Sequence, residues 1–487
     1  MTPPNSPQTL AKLSTTGKST DIAIAGVELY FLPVTTRVPL KFGSETLTSV
    51  TCARVRVSVE DRSGRKAEGW GETPLSVPWV WPSTISHRTR DLALRDFCEQ
   101  LASAWSAFSM YGHPLEIGYE FQENILPTLL AGFNRDCALD ERMPLLAGLV
   151  CCSPFDIALH DAYGNLHERP IYDCYTAEFM NHDLAYFLEG VDSEGADFEG
   201  KYPIDFISPK VPETLPVWHL VGGVDLLDPA EMNGDIPLDG EPFVLEDWIN
   251  RDGLQNLKVK LRGNDADWDF DRLVQVGLIA GRHGPYTLSA DFNCTVLDPA
   301  YVNAVLDRLA AEHRDIFDAI LYVEQPFPYD LEANKIDVSS VSSRKPLLMD
   351  ESAHNWQLVR LGKKLGWTGV ALKTCKTQTG AILTLCWAKA HKMSIMVQDL
   401  TNPMLAQIPH VLLAAHAGTM RGVESNAMQF YPKASLPEAK VHPGLYQRRE
   451  GKLDLSSIQG SGFGYRVNEI ARELGDPVAT FGSFAKD

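Results

Sequence analysis

The sequence predicts an α/β chain in which a modified (β/α)8 barrel of the TIM type is joined to an α+β N-terminal domain. Two observations carry that expectation. From about residue 214 to 432, eight short apolar runs alternate with amphipathic stretches, the rhythm of parallel strands each followed by a helix. Ahead of them, residues 22–72 alternate apolar and polar positions, and residues 86–172 carry apolar residues at helical spacing.

The first twenty residues lack an apolar core and read as a disordered tail rather than a signal peptide. The α+β domain is placed at 21–175. VELYFLPV and ARVRVSVEDRSGRKAEGWGE are its strands, turning at Asp61-Arg62-Ser63-Gly64. Its helical part closes on SPFDIALHDAYGNLHERPIYD, where Ile157, Leu159, Ala162 and Leu166 recur at roughly helical spacing. Residues 176–213 are acidic, contain Gly and Pro, and are weakly periodic, so they read as an excursion or linker. The barrel strands over 214–432 are VWHLVG, NLKVKL, YTLSADFN, AILYVEQPF, PLLMDES, GVALKTC, SIMVQDL and GVESN. Residues 433–487, punctuated by Pro and Gly, are expected to pack back on the N-terminal domain.

Composition narrows the function. Lys plus Arg total 44 against 63 Asp plus Glu, a net charge of −19, which disfavours nucleic acid and anionic membranes as partners. No unbroken apolar run is long enough to span a bilayer. The nine cysteines are scattered without a CxxC pair, as expected of reduced thiols in a cytoplasmic protein. Cys151 and Cys152 fall in an apolar helical stretch and read as buried and inert. His87, His113, His160 and His167 show no paired metal spacing, and glycine-rich phosphate loops are absent.

The informative pattern lies at the ends of the predicted barrel strands, which form the mouth of such a barrel. Lys258 and Lys260, Asp291 and Asn293, Glu324, Asp350 and Glu351, Lys373 and Lys376, Asp399, and Glu424 and Asn426 each follow an apolar run. Any one of these acids alone reads as a solvated rim residue. Asp291, Glu324 and Asp350 come from three successive strands about 4.8 Å apart, close enough to converge on one ion. Three hard oxygen donors with open positions suit Mg²⁺. Lys258 and Lys260 alternate on one strand and point the same way, and Lys373 stands four strands later, nearly opposite. A lysine acts as a base when burial beside another cation lowers its pKa, a condition that the KxK spacing supplies.

These segments together resemble the enolase superfamily, in its mandelate racemase/muconate lactonizing enzyme branch. The matching pieces are KVK at 258–260, DFN at 291–293, EQP at 324–326, DES at 350–352 and Lys373 in LKTCKTQTG, with GWGE and SPFDIALHDAYGNLHERPIYD resembling that family's capping domain. The resemblance implies Mg²⁺ held by Asp291, Glu324 and Asp350. Lys260 and Lys373 would be acid/base groups on opposite faces, Lys258 would tune Lys260, and Asn293 and Glu351 would support the ligands. It further implies removal of a proton α to a carboxylate through an enediolate, the chemistry of racemases, epimerases and cycloisomerases acting on small carboxylates or amino-acid derivatives. A dehydratase using one lysine, or a catalytically idle metal-binding scaffold or interaction protein, are the alternatives. The chain lacks the His of the mandelate racemase-like subgroup: its seventh strand ends in Gln398-Asp399 and His391 precedes it. The two-lysine, muconate-lactonizing-like subgroup is therefore expected. Glu424-Ser425-Asn426 stands where dipeptide epimerases often show Asp-x-Asp, which argues against a dipeptide; Glu424 and Asp399 remain candidates for a cationic substrate group. Segments 37–49 and 72–83 are expected to set substrate choice, with Trp79 and Trp81 as an aromatic lid. A small-molecule carboxylate and a second copy of the chain are the expected partners.

Overall fold

A computed structural model describes residues 17–42, 45–137, 139–190, 196–232 and 239–484. Most of the expected N-terminal tail, residues 1–16, lies outside the described residues. The N-terminal domain opens with three antiparallel strands, β1 (Ile22–Phe42), β2 (Glu45–Asp61) and β3 (Lys66–Pro74). The expected turn joins β2 to β3. Asp61 Oδ1 accepts from the backbone N–H of Ser63 and of Arg65, both at 2.9 Å, and Gly64 takes the left-handed conformation at φ 86°.

Helices α1 (His87–Ala107), α2 (Leu126–Asp136) and α3 (Leu145–Leu166) follow. All residues of α3 except Leu145 and Asn165 are buried. It is long and apolar enough to cross a membrane by length and composition alone, which the reading of unbroken apolar runs did not reveal, yet 94% of the relevant window is buried inside the protein. The GWGE motif explains its close packing. A Cβ at Gly69 or Gly71 would lie 2.1 Å from Ala162 N or 2.0 Å from Pro154 O of α3, so only glycine lets helix and sheet backbones approach this far.

The barrel strands appear in the eight expected runs: β4 (Thr214–Val221), β5 (Asn256–Lys260), β6 (Thr287–Asp291), β7 (Ile320–Glu324), β8 (Leu347–Met349), β9 (Gly369–Leu372), β10 (Ser394–Val397) and β11 (Val423–Glu424). They pair in sequence as parallel neighbours from β4 to β10, and β11 returns to pair with β4. Among the described residues no strand ladder joins β10 to β11; that seam is held by Met420 N donating to Ile395 O at 2.8 Å and by Asn426 N donating to Asp399 Oδ2 at 2.8 Å. Helices α4 (Leu245–Asp252), α5 (Ala266–Gly281), α6 (Pro299–Glu312), α7 (Trp356–Lys364), α8 (Gln378–Ala390) and α9 (Gln407–Ala417) lie between strands.

Two connecting segments lace the halves together. Of the stretch 176–213, Phe179, Leu184, Phe187 and Phe198 are buried, and its carbonyls at Glu189 and Phe206 accept from Trp387 Nε1 (2.8 Å) and Lys389 Nζ (2.6 Å) of α8. Beyond residue 433, β12 (Lys452–Asp454) pairs antiparallel with the start of β4, while β13 (Ala479–Gly482) pairs antiparallel with β1. Asp161 of α3 fastens this tail to the N-terminal sheet, its carboxylate accepting from Trp70 N at 2.9 Å and Phe463 N at 2.8 Å. Asp161→Asn replaces one accepting oxygen with an amide that faces an N–H. We expect a loss of about 2 kcal/mol, read as a lowered Tm in thermal unfolding; an unchanged Tm would remove Asp161 from this role.

Candidate active site

Strand register assembles the site. Lys260, Asp291 and Glu324 are direct neighbours across β5, β6 and β7. Asp350 stands two residues beyond Leu348, the partner of Glu324, so pleat alternation sends it to the same side. Lys373 directly follows β9, the strand opposite β5 in an eight-stranded ring. All of these side chains are buried, the three acids to within 1% of complete.

The groups are interleaved rather than separated. Lys258 Nζ lies 2.6 Å from Glu324 Oε1, 3.1 Å from Asp291 Oδ2 and 3.2 Å from Glu424 Oε2. Lys260 Nζ lies 2.5 Å from Asp291 Oδ2. Lys373 Nζ lies 3.2 Å from Asp350 Oδ2 and donates to Asp399 O at 3.0 Å. Asn293 Nδ2 donates to Glu351 Oε1 at 2.9 Å and its backbone N–H to Asp291 Oδ1 at 3.0 Å, so Asn293 ties the two acids together.

Ionisation follows from this packing. Burial opposes charge on Asp291 and Asp350, but Lys260 and Lys258 hold the first, and Lys373 and Lys376 the second, below the ordinary carboxylate range. Glu324 is different: burial and the neighbouring Asp291 charge push it well up despite Lys258. Burial and the adjacent Asp350 also raise Glu351. Burial alone would lower Lys258 and Lys373; the carboxylates around them outweigh it and raise both. Without a further cation both are therefore held as ammoniums, Lys258 by the carboxylates of Glu324, Glu424 and Asp291.

Among the described residues, no three His, Cys, Asp or Glu side chains stand together as a ready metal cage, because lysine ammoniums lie between the acids. The donor set nonetheless fits a hard divalent cation. Asp291, Glu324, Asp350, Glu351, Asp399 and Glu424 face Lys258, Lys260, Lys373 and Lys376, all buried, leaving a formal excess of two negative charges. Glu324, whose carboxyl is pushed furthest toward protonation, sits between the other two proposed ligands in strand order.

The outlying candidates divide. Trp79, in the helical turn Val77–Val80, reaches the mouth: its Nε1 donates to Glu351 Oε1 at 3.0 Å, and its ring lies 5.1 Å from Lys373 Nζ. Trp81 is buried beside α1, with its carbonyl accepting from Arg90. Asp399 and Glu424 are already engaged. Asn426 donates to Asp399 through its backbone and side chain, at 2.8 and 3.3 Å, and to Glu424 Oε1 at 3.0 Å, while Lys258 takes Glu424 Oε2. Cys151 and Cys152 are fully buried, with thiols pushed well up by burial.

Three contributors carry no role in the sequence reading. Lys376 reaches Asp350 Oδ1 at 3.3 Å. Gln398 Oε1 accepts from Lys258 at 3.3 Å, and its amide donates to Glu324. Gln325 Oε1 accepts from Asp350 N at 2.8 Å and Ser352 Oγ at 2.7 Å, fixing the Asp350 turn. The backbone marks the same place: Asn293, Cys294 and Gln325 sit at φ 45°, 64° and 30°, where non-glycine residues are uncommon.

The geometry defines a capped (β/α)8 barrel with a buried ring of acids and lysines at its mouth. Residues 244–471 match the family described as enolase C-terminal domain-like. Solved structures share the fold over nearly their whole length. N-succinyl Arg/Lys racemase from Bacillus cereus aligns with TM-score 0.61 at 16% identity, covering 94% of this chain and 99% of the other. Dipeptide epimerase from Enterococcus faecalis, complexed with Mg and the dipeptide L-Leu-L-Tyr, aligns with TM-score 0.57 at 16% identity, covering 91% and 99%. Muconate lactonizing enzyme from Pseudomonas fluorescens, complexed with muconolactone, aligns with TM-score 0.56 at 15% identity, covering 91% and 96%. No curated protein sequence matches the chain. Residues 244–471 thus match the enolase C-terminal domain-like family, and the fold over nearly the whole chain is shared with a racemase, an epimerase and a muconate lactonizing enzyme.

Proposed function

We propose that the protein is a Mg²⁺-dependent enzyme that removes the proton α to a carboxylate, as a racemase, epimerase or cycloisomerase of a small carboxylate or amino-acid derivative. The observation that carries this is the placing of Lys260 and Lys373 on opposed strands, either side of Asp291, Glu324 and Asp350. Asp291, Glu324 and Asp350 would hold the ion, which supplies the positive charge that stabilises an enediolate when bound.

The chain's own residues do the rest. Lys260, as the free amine, takes the α-proton on one face and becomes the ammonium. Lys373, as the ammonium, returns a proton on the other face and becomes the amine. The net result is inversion, with no gain or loss of atoms. Lys258 holds Glu324 and Glu424 in place, Gln325 fixes the Asp350 turn, and Trp79 shields Lys373 from water. The muconate-lactonizing-like subgroup, expected from the two lysines and the missing His, is supported by Gln398, which hydrogen-bonds Lys258 where another subgroup would carry a base.

The test is exchange in D₂O. With Mg²⁺, the protein is offered N-acyl amino acids, dipeptides, hydroxy acids, betaines and lactones, and masses are read. A gain of one mass unit in one class supports the reading, whereas absence of exchange throughout, with Mg²⁺ bound, counts against it. Asp291→Asn is expected to weaken Mg²⁺ binding at least about tenfold by calorimetry; wild-type affinity would take Asp291 out of the metal site.

A further inference from the structure

A cavity of about 380 Å³ opens beside Lys260, and its lining includes Lys41, Arg262, Asn264, Asn293 and Thr295. Every charged residue of that lining is a cation, on a chain whose net charge is −19. The cavity joins the site described above rather than standing apart from it. Lys260 lies 2.5 Å from Asp291 Oδ2, and Asn293 donates to Glu351. Its outer wall comes from the N-terminal domain: Lys41, partly buried near the end of β1, pairs in register with Thr46 of β2. Its floor comes from the barrel: Arg262, just beyond β5, lies over the Trp268 ring at 4.0 Å. Its guanidinium pairs with Asp265 at 3.8 Å, and both side chains are half-exposed, so that pair is loose and solvent-screened; the buried Asp269 carboxylate meets the Arg262 backbone N–H instead.

From these observations we infer that the substrate carries a second anionic group, such as a terminal carboxylate, and that Lys41 and Arg262 receive it. This rests on the reading that the first carboxylate is held at the Asp291–Glu324–Asp350 cluster. The far side of the mouth argues the same way. A cationic arm would need an unspent acid, but Asp399 and Glu424 are engaged by Asn426 and Lys258. At Arg262, an anionic arm would displace only the half-exposed Asp265 among the ion pairs of the described residues. Two domains then divide the work: the barrel holds the reacting end, and a lysine from the N-terminal hairpin selects the distal charge.

The experiment uses calorimetry on the Mg²⁺-loaded protein. Glutarate, adipate and pimelate are compared with their monoamides, pairs that differ by one charge at the distal end. At least one diacid is expected to bind about tenfold more tightly than its monoamide. Lys41→Gln should bring that ratio to within about twofold while leaving the monoamide's affinity unchanged, and Arg262→Gln serves as the second variant. Monoamides binding as tightly as diacids throughout, or a charge preference that survives both substitutions, would overturn the assignment. The reaction itself is judged separately. A diacid preference that depends on Lys41 but comes without α-proton exchange sustains this inference and counts against the catalytic reading. Exchange confined to neutral-armed acids and undiminished in Lys41→Gln does the opposite.

Discussion

Replacing Lys260 or Lys373 with alanine is expected to lower α-proton exchange at least about a thousandfold while Mg²⁺ binding persists. Positioned acid/base groups contribute roughly 10²–10⁴-fold, and the two lysines stand on different faces, so neither can take over the other's proton. Each variant should be assayed against both enantiomers of a substrate in D₂O, with Mg²⁺ affinity measured in parallel. Loss of exchange with binding intact supports the two-base assignment; unchanged exchange in both variants would sink it. The paired measurement matters because each lysine touches a proposed ligand, Lys260 on Asp291 and Lys373 on Asp350. A general collapse of the site would abolish both readouts together.

Lys258→Met should produce the largest stability effect. It removes a cation that lies within 3.2 Å of Asp291, Glu324 and Glu424 at once. Breaking a buried ion pair from one side costs about 3–5 kcal/mol, because the remaining charge is stranded. The sign of the pH dependence follows. With Lys258 gone, Glu324 and Glu424, which burial already pushes above the unfolded value of about 4, lose that ammonium. The native state then holds protons that the unfolded state does not, so the variant's deficit grows as pH rises from the unfolded value toward the native values, levels off above them and disappears in acid. Added Mg²⁺ should recover part of the loss, since a ligand that binds only the native state stabilises it. Thermal unfolding across pH, with and without Mg²⁺, checks all three points, and a Tm equal to that of the parent would refute them.

Much of this architecture is legible in the sequence because a barrel strand announces itself. It is a short apolar run, and where it ends at the mouth the first polar residue points at the site. That rule alone places Lys258, Lys260, Asp291, Glu324, Asp350, Lys373, Asp399 and Glu424. What it cannot supply is the partner of each group. Asp399 reads as a spare anion in one dimension; in three it bonds Asn426 across the seam between β10 and β11. Trp79 and Trp81 are two residues apart in a Pro-rich stretch, and only the bend of the single turn sends one to Glu351 and the other toward α1. The segment 176–213 shows no period because it forms no long element, yet its Phe179, Phe187 and Phe198 are buried as firmly as the aromatics of the helices. Gln325 and Gln398 are neutral amides, whose hydrogen bonds have no signature in charge or spacing.

The pairing of β13 with β1 also bears on how the molecule is made. Residues 26–29 of β1 have their outer edge covered by residues 479–482. At the pace of synthesis, about 5–20 residues per second, the chain between them takes roughly 25–90 s to emerge. For that interval β1 is a bare strand edge, open to pairing with any other nascent chain. The start of β4 waits about half as long for β12. Neither sheet can be finished in the order in which it is translated: the edge of β4 is covered only once residue 454 has emerged and that of β1 only once residue 482 has, and the burden of keeping those edges apart falls on the cell.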